Sequence, residues 1–303
     1  MIVVLGGRGF VGTAFREALE LRGIDCVSVS RQRCDYYQRD NLIELLSETR
    51  ASFLINAAGY TGKPNVDACE QNKADCLLGN AVLPAVIRKA CEFMSLPWLH
   101  VSSGCIYSGT RDDGSGFTED DAPNFSFRSQ PCSFYSGTKA LGEECLDGCE
   151  NVYVHRLRIP FDHSDSSRNY LSKLMRYRRL LDVTNSISQL REFIDACLDG
   201  WDMRIPFGTY NITNPGAVTT KQVTEIIEKH LQVEHDFEFF ESEDQFMQQV
   251  AKTPRSSCVL DSSKILSTGI KLTEAHKALE QTLMRWETDV FQPVTATKSW
   301  HAT

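Results

Sequence analysis

Ile2-Val3-Val4-Leu5-Gly6-Gly7-Arg8-Gly9-Phe10-Val11-Gly12 is the stretch that decides how the rest of the chain is read. Its first four apolar residues predict a short buried strand. Gly6, Gly9 and Gly12, spaced three apart, predict a tight loop, and the pattern from Phe10 to Leu21, stopped by Gly23, predicts a helix. Strand, glycine loop and helix in that order form the setting of a dinucleotide-binding turn. Glycines there let backbone N–H groups approach a pyrophosphate at the positive end of the helix. A plain tight turn accounts for one glycine but poorly for three.

Outward from this loop, strands and helices alternate. Cys26–Ser30, Phe53-Leu54-Ile55, Trp98–Ser103 and Val152–Leu157 read as strands, with helical patterns over Asn41–Ser47 (capped by Asp40), from the loop after Tyr60 through about Cys91, and around Tyr135. Pro84 falls inside the third of these patterns and is expected to kink or split it. The alternation up to residue 160 implies an α/β fold, a Rossmann-type doubly wound parallel sheet with helices on both faces. After Pro160 the pattern loosens. We therefore expect residues 1–160 to form a dinucleotide-binding domain, 181–203 to return to it, and 161–180 with 204–303 to form a smaller substrate lobe. Within that lobe, Thr219-x-x-Gln222 is a capping box, a last helix covers roughly residues 273–287, and the tail from Gln292 has no pattern.

A net charge of −8 with no long basic run argues against nucleic acid and against an anionic membrane surface as partners. The eleven cysteines are scattered without a CxxC pair, so neither a metal site nor a disulfide framework is expected. A reducing, cytoplasmic setting follows as the expectation. No charged leader and no run of 18 apolar residues is present.

Chemistry gathers at three places. The second strand ends Ser30-Arg31-Gln32-Arg33, where an NAD-binding turn would carry a carboxylate for the ribose. Guanidinium groups suit a 2′-phosphate, so NADPH is expected over NADH, through Arg31, although Asp35 remains within reach of a ribose. The third strand runs into Asn56-Ala57-Ala58-Gly59, small enough for a cofactor to lie on the backbone. In Phe134-Tyr135-Ser136-Gly137-Thr138-Lys139 a Tyr and a Lys lie four apart on one helix face. An ammonium beside a phenol favours the phenolate, which would make Tyr135 a ready proton donor and acceptor for a carbonyl oxygen.

The glycine loop, the Asn56–Gly59 strand end, Ser103 and the Tyr135/Lys139 pair, in this order, resemble an extended short-chain dehydrogenase/reductase over nearly the whole chain. That resemblance implies that Ser103 holds a substrate carbonyl, Tyr135 protonates it, and Lys139 binds the nicotinamide ribose and biases Tyr135. It implies cofactor contacts from Gly6, Arg8, Gly9, Phe10, Val11, Gly12, Asn56, Ala57, Ala58 and Gly59, and from Ile159 at the fifth strand end. A closer resemblance rests on the run from Thr61 to Glu70, Gly104-Cys105-Ile106, Pro123-Asn124-Phe125, Ser133-Phe134-Tyr135-Ser136, Arg168-Asn169-Tyr170, Asn214-Pro215-Gly216 and Pro254-Arg255-Ser256. These are similar to the plant and viral nucleotide-rhamnose 3,5-epimerase/4-reductases, with the dTDP-4-dehydrorhamnose reductases as more distant relatives. In the bifunctional enzymes a Cys and a Lys epimerise the sugar, and they match Cys105 and Lys173; the simple reductases lack the Cys.

Each assignment has a plainer competitor. Cys105 is one small residue among eleven cysteines, and Lys173 stands beside Arg176, Arg178 and Arg179, as a solvated basic face would. Asn169 and Arg255 are candidates for a nucleotide diphosphate, against helix capping and a surface charge; Lys63, Asn65 and Asp67 are candidates for sugar hydroxyls. His100 and His155, on strands, read as core residues. The low-periodicity stretch Ser108–Pro131 reads as a rim over the site. Overlapping its end, Ser126–Cys132 is an insertion relative to the plant pattern and brings a second candidate thiol, Cys132. The reading is an NADPH-dependent enzyme acting on a UDP- or dTDP-linked 4-keto-6-deoxyglucose, with a homodimer as a candidate assembly. Its alternatives are a single-activity reductase or epimerase, and a non-catalytic subunit resembling the regulatory partner of methionine adenosyltransferase.

Overall fold

In the computed structural model, which describes residues 1–63, 65–233 and 236–286, the opening apolar run is β1 (Ile2–Leu5), an inner strand of a parallel sheet. With β2 (Cys26–Val29), β3 (Phe53–Asn56), β4 (Trp98–Ser103), β5 (Val152–Leu157) and β6 (Gly208–Asn211) it forms six strands in the order β2-β1-β3-β4-β5-β6. All five pairings are parallel.

Alternation along these short strands sends successive side chains to opposite faces, and both faces are covered. Val4, Ile55, Val101 and Tyr153 pack with α1 (Phe10–Leu21) and α8 (Leu190–Asp202). Val3, Leu5, Leu54, Trp98 and Val154 pack with α2 (Arg39–Glu48) and α5 (Leu83–Met94). Strand order reverses between β1 and β3, so a crevice opens at their carboxyl ends, where the glycine loop and Asn56–Gly59 lie.

Two expectations are corrected. The lobe boundary at residue 204 cuts into the sheet domain: β6 pairs with β5, and Tyr210 and Ile212 join the core shared by α1 and α8. After α10 (Glu243–Gln249), the short helix α11 (Ser263–Ser267) adds Ile265 to that core. The run Tyr210-Asn211-Ile212 reads as a strand in the sequence, but four residues beginning at Gly208 carry no sign of which sheet they join. The long helix through Cys91 is instead α3 (Asp67–Gln71), α4 (Lys73–Leu77), a π-turn over Leu78–Val82, and α5. Pro84 has no N–H to give the preceding turn, and a widened π-turn accommodates that loss. A smaller shift is that α2 starts after Gln38, which places Asp40 in its first turn and not at its cap.

The second lobe has its own core. α7 (Tyr170–Arg176), α9 (Thr220–His230) and α12 (Ala275–Met284) close around Phe161, Leu174, Val223, Ile227, Leu279 and Trp286. The Thr219/Gln222 capping box forms with both its hydrogen bonds. α12 ends at Met284, and the stretch from residue 287, including the tail from Gln292, lies outside the described residues. Ser108–Pro131 is irregular but held: Gly109 bridges Cys258, Phe117 bridges Leu260, and the Tyr107 hydroxyl donates to Asp121 O at 2.6 Å. No helix among the described residues is long and apolar enough to cross a membrane.

Candidate active site

The glycine loop is shaped by close approach. Gly6 has φ +76°, and a Cβ there would lie 2.5 Å from the backbone nitrogen of Ala58. A Cβ on Gly12 would lie 2.2 Å from Gly6 O. The bare backbone of β1, the start of α1 and the β3 end therefore form one cradle, whose walls only glycine permits and which fits a pyrophosphate at the α1 N-terminus. Arg8 and Gly9 are exposed at its mouth, with Phe10, Val11, Ala57 and Ala58 half-buried around it. Gly12→Ala is expected to weaken dinucleotide binding at least about tenfold, because the loop must open to admit the methyl group. Fluorescence titration with NADPH checks this; an unchanged Kd would mean that the loop does not carry the phosphates.

At the β2 end, Arg31 and Arg33 are exposed, and neither has an acidic partner among the described residues. Arg31 lies 5.9 Å from the Tyr37 ring centroid. The Asp35 carboxylate accepts from Tyr37 N at 3.3 Å. Asn56 is fully buried; its amide meets His100 Nδ1 at 3.0 Å and its carbonyl accepts from Ala58 N at 3.2 Å, fixing the β3 end. His100 and His155 are both core residues, the latter 3.1 Å from Cys197 Sγ.

α6 (Phe134–Glu144) carries Tyr135 and Lys139 and is held at both ends. Ser133 caps it through Ser136 N at 3.1 Å, and Glu70 of α3 accepts from Phe134 N at 2.7 Å. One turn after Lys139, Glu143 takes a buried ion pair from Arg156 at 2.7 Å and a hydrogen bond from Ser102. β4 and β5 thus grip the helix from the carboxylate side. The Ser126–Cys132 stretch presses on the same helix: Phe127 packs where a Cβ on Gly137 would be, 2.3 Å from its ring, and Arg128 pairs with Glu144. Cys132 is half-buried, and burial pushes its thiol up, which disfavours it as a nucleophile.

The Tyr135 phenol is within hydrogen-bonding range of Ser103. Burial raises its pKa, with Cys105 adding to the rise and Ser103 opposing it. This corrects the expectation that Lys139 tilts Tyr135 towards phenolate. The Lys139 amine, itself pushed down to about 8 by burial, donates to Val101 O at 3.0 Å. Tyr135 is thus held as a neutral phenol, the form that can give a proton.

β4 ends in a 3₁₀ turn, Gly104–Ile106, in which Ser103 Oγ accepts from Cys105 N at 3.2 Å. This brings Cys105 beside Ser103 and Tyr135. Lys173, on α7 of the second lobe, is half-buried; burial lowers its pKa, Arg168 adds to this, and Cys105 opposes it. Its basic neighbours are engaged: Arg176 with Asp165, Arg178 with Glu238, Arg179 with Gln245. Lys173 has no acidic partner among the described residues, so it is not one more member of a solvated face.

Other candidates are occupied inside the chain. Asn169 is fully buried and caps α7, with its amide on Asp162 O and Ser164 O at 2.7 and 2.8 Å and its carbonyl accepting from Leu171 N. Its polar atoms are spent on the fold, which corrects the assignment to substrate. Asp67 and Arg255 pair with each other at 2.7 Å, although Arg255 Nη1 remains buried without a partner. Asn65 accepts from Asp67 N at 2.9 Å, and Lys63 is exposed. Ile159 sits at φ +41° past β5. A residue missed in the sequence is Arg158, whose guanidinium Nη1 donates to Cys105 Sγ at 2.9 Å. Its signal was a second arginine, two residues after Arg156, at an otherwise apolar strand end.

A family model for the RmlD substrate binding domain matches residues 1–288. The bifunctional dTDP-4-dehydrorhamnose 3,5-epimerase/dTDP-4-dehydrorhamnose reductase of Arabidopsis thaliana is 31% identical over 268 residues, 87% of this chain and 85% of that protein. A trifunctional UDP-glucose 4,6-dehydratase/UDP-4-keto-6-deoxy-D-glucose 3,5-epimerase/UDP-4-keto-L-rhamnose-reductase of the same plant is 30% identical over 87% of this chain, which spans 38% of its length. Among solved structures, the L780 UDP-rhamnose synthase from Acanthamoeba polyphaga mimivirus has a TM-score of 0.85 at 23% identity, covering 94% of this chain and 98% of that one. A dTDP-4-dehydrorhamnose reductase from Bacillus anthracis in complex with NADP has a TM-score of 0.79 at 16% identity, covering 93% and 98%.

Proposed function

The chain belongs to the family of the RmlD substrate binding domain, NAD(P)-dependent reductases of the extended short-chain dehydrogenase/reductase type, and from that premise we propose a bifunctional enzyme. Its reaction is 3,5-epimerisation and then NADPH-dependent 4-reduction of a UDP- or dTDP-linked 4-keto-6-deoxyhexose. The observation that carries this reading is the meeting of Ser103, Tyr135 and Cys105 at the carboxyl end of β4, with Lys173 of the other lobe near enough for its charge to interact with Cys105.

In such a sugar the C3 and C5 protons are acidic because both flank the C4 ketone. Cys105 takes one of them from one face, and Lys173 returns a proton to the carbon from the other, which inverts the centre. Ser103 and Tyr135 hold the ketone oxygen through the enolate stage, where negative charge develops on it. When bound, the reduced dinucleotide supplies the hydride for C4. Tyr135 gives the oxygen its proton, and Lys139 anchors the ribose beside it.

Incubation with NADPH and UDP- or dTDP-4-keto-6-deoxyglucose in deuterated water tests the whole reading. We expect NADPH consumption with deuterium at both C3 and C5. Consumption without deuterium leaves a simple reductase; no consumption across a panel of nucleotide 4-keto sugars leaves the regulatory alternative. Cofactor choice has its own test. Arg31→Ala is expected to lower the NADPH/NADH ratio of kcat/KM by roughly 10- to 100-fold, the worth of a charge-assisted hydrogen bond. An unchanged ratio would remove Arg31 from the phosphate site.

A further inference from the structure

Arg158 is 2% exposed, and among the described residues no carboxylate pairs with it. Arg156, two residues earlier, has Glu143. A buried cation without an anion is costly, and proteins rarely leave one so. The Arg158 guanidinium donates through Nη2 to Asn185 Oδ1 at 2.5 Å and Ser256 O at 2.6 Å, both neutral, and through Nη1 to Cys105 Sγ at 2.9 Å. Of these three acceptors only the thiol can become an anion. Gly104 leaves room for this arrangement, since a Cβ there would lie 3.4 Å from Arg158 Cδ and 2.6 Å from Leu260 Cδ1.

We propose that Arg158 is the counter-ion of Cys105, a positioning residue that keeps the sulfur as a standing thiolate and holds it in place for proton abstraction. The inference rests on Cys105 as the base of the proposed epimerisation. The other titratable groups facing the thiol are Tyr135 and Lys139 of α6, Lys173 of α7, and Cys258 of the segment behind it. Burial keeps Tyr135 and Cys258 protonated. Lys139 is tied to Val101 O, and Lys173 is needed as the acid on the opposite face. Both lysines are amines that burial drives towards the neutral form, whereas a guanidinium stays charged throughout the working range.

The arrangement also resets the base. After the thiolate accepts a proton from C3, the thiol is neutral and the guanidinium again lacks an anion. Loss of that proton to water is thereby favoured while Lys173 regains one, and the pair is ready for C5. Atoms and charges balance over each inversion.

The test is the rate of Cys105 alkylation by iodoacetamide between pH 6.5 and 8.5, read on its own peptide by mass spectrometry with no nucleotide present. In the wild type we expect a rate that changes less than about threefold across this range, as for a thiolate already formed; an ordinary thiol would gain about tenfold per pH unit below its midpoint. Arg158→Gln should slow labelling at pH 6.5 by at least roughly tenfold, and Arg158→Lys should recover part of it. A wild-type rate that climbs tenfold per unit overturns the proposal without any variant. So does a folded Arg158→Gln protein that labels as fast as the wild type, which would leave Arg158 as a strut between β5 and Ser256. Because labelling needs no sugar, a standing thiolate in a protein that exchanges no deuterium would instead sink the epimerase reading.

Discussion

Tyr135→Phe is expected to lower the rate of 4-reduction by 10²- to 10⁴-fold, about the contribution of a positioned general acid. The phenol is the neutral donor beside Ser103, and among the described residues no other hydroxyl on α6 meets that serine at the β4 end. The fold should tolerate the change, since Ser103 keeps its hydrogen bond from Cys105 N and the ring keeps its packing. The measurement is NADPH oxidation with a pre-epimerised 4-keto sugar, so that epimerisation does not limit the rate. Deuterium wash-in should fall much less, because Ser103 still polarises the ketone. A loss below tenfold would mean that the proton comes from elsewhere.

Cys105→Ser carries the second large effect. A serine hydroxyl is far less acidic than a thiol, so it cannot stand as an anion beside Arg158 at neutral pH. Deuterium incorporation at C3 and C5 is expected to fall by about 10²- to 10⁴-fold, while the pre-epimerised sugar is still reduced. Intact exchange in this variant would show that Cys105 is not the base. Together the two variants separate the activities, one stopping at the epimerised ketone and the other at the unepimerised one.

Some of this site is written in local sequence. A glycine whose Cβ would strike a backbone 52 residues away must still announce itself as glycine, so Gly6 and Gly12 were readable. The Tyr135/Lys139 spacing is a property of one helix, and the Thr219/Gln222 box of one helix end. Other features had no such signature. Asn169 has the same side chain whether it meets a diphosphate or caps α7, and only its burial shows that its polar atoms are taken. Asp67 and Arg255 read as separate ligand contacts because they are 188 positions apart in the chain.

By itself the sequence determined the sheet's inner strands, the phosphate-binding turn and the pair of groups on α6, since each arises from interactions between near neighbours: strand period, helical pitch, backbone sterics. What only the tertiary structure decided is which charges are compensated. Arg156 lies on β5 and Arg158 just past its end, two residues on, yet one meets Glu143 and the other meets a thiol. Burial also turned Tyr135 towards the neutral phenol, against the pull read from its helical neighbour. Desolvation and long-range pairing depend on what the folded chain places around a group, and that surrounding is assembled from segments far apart in the chain.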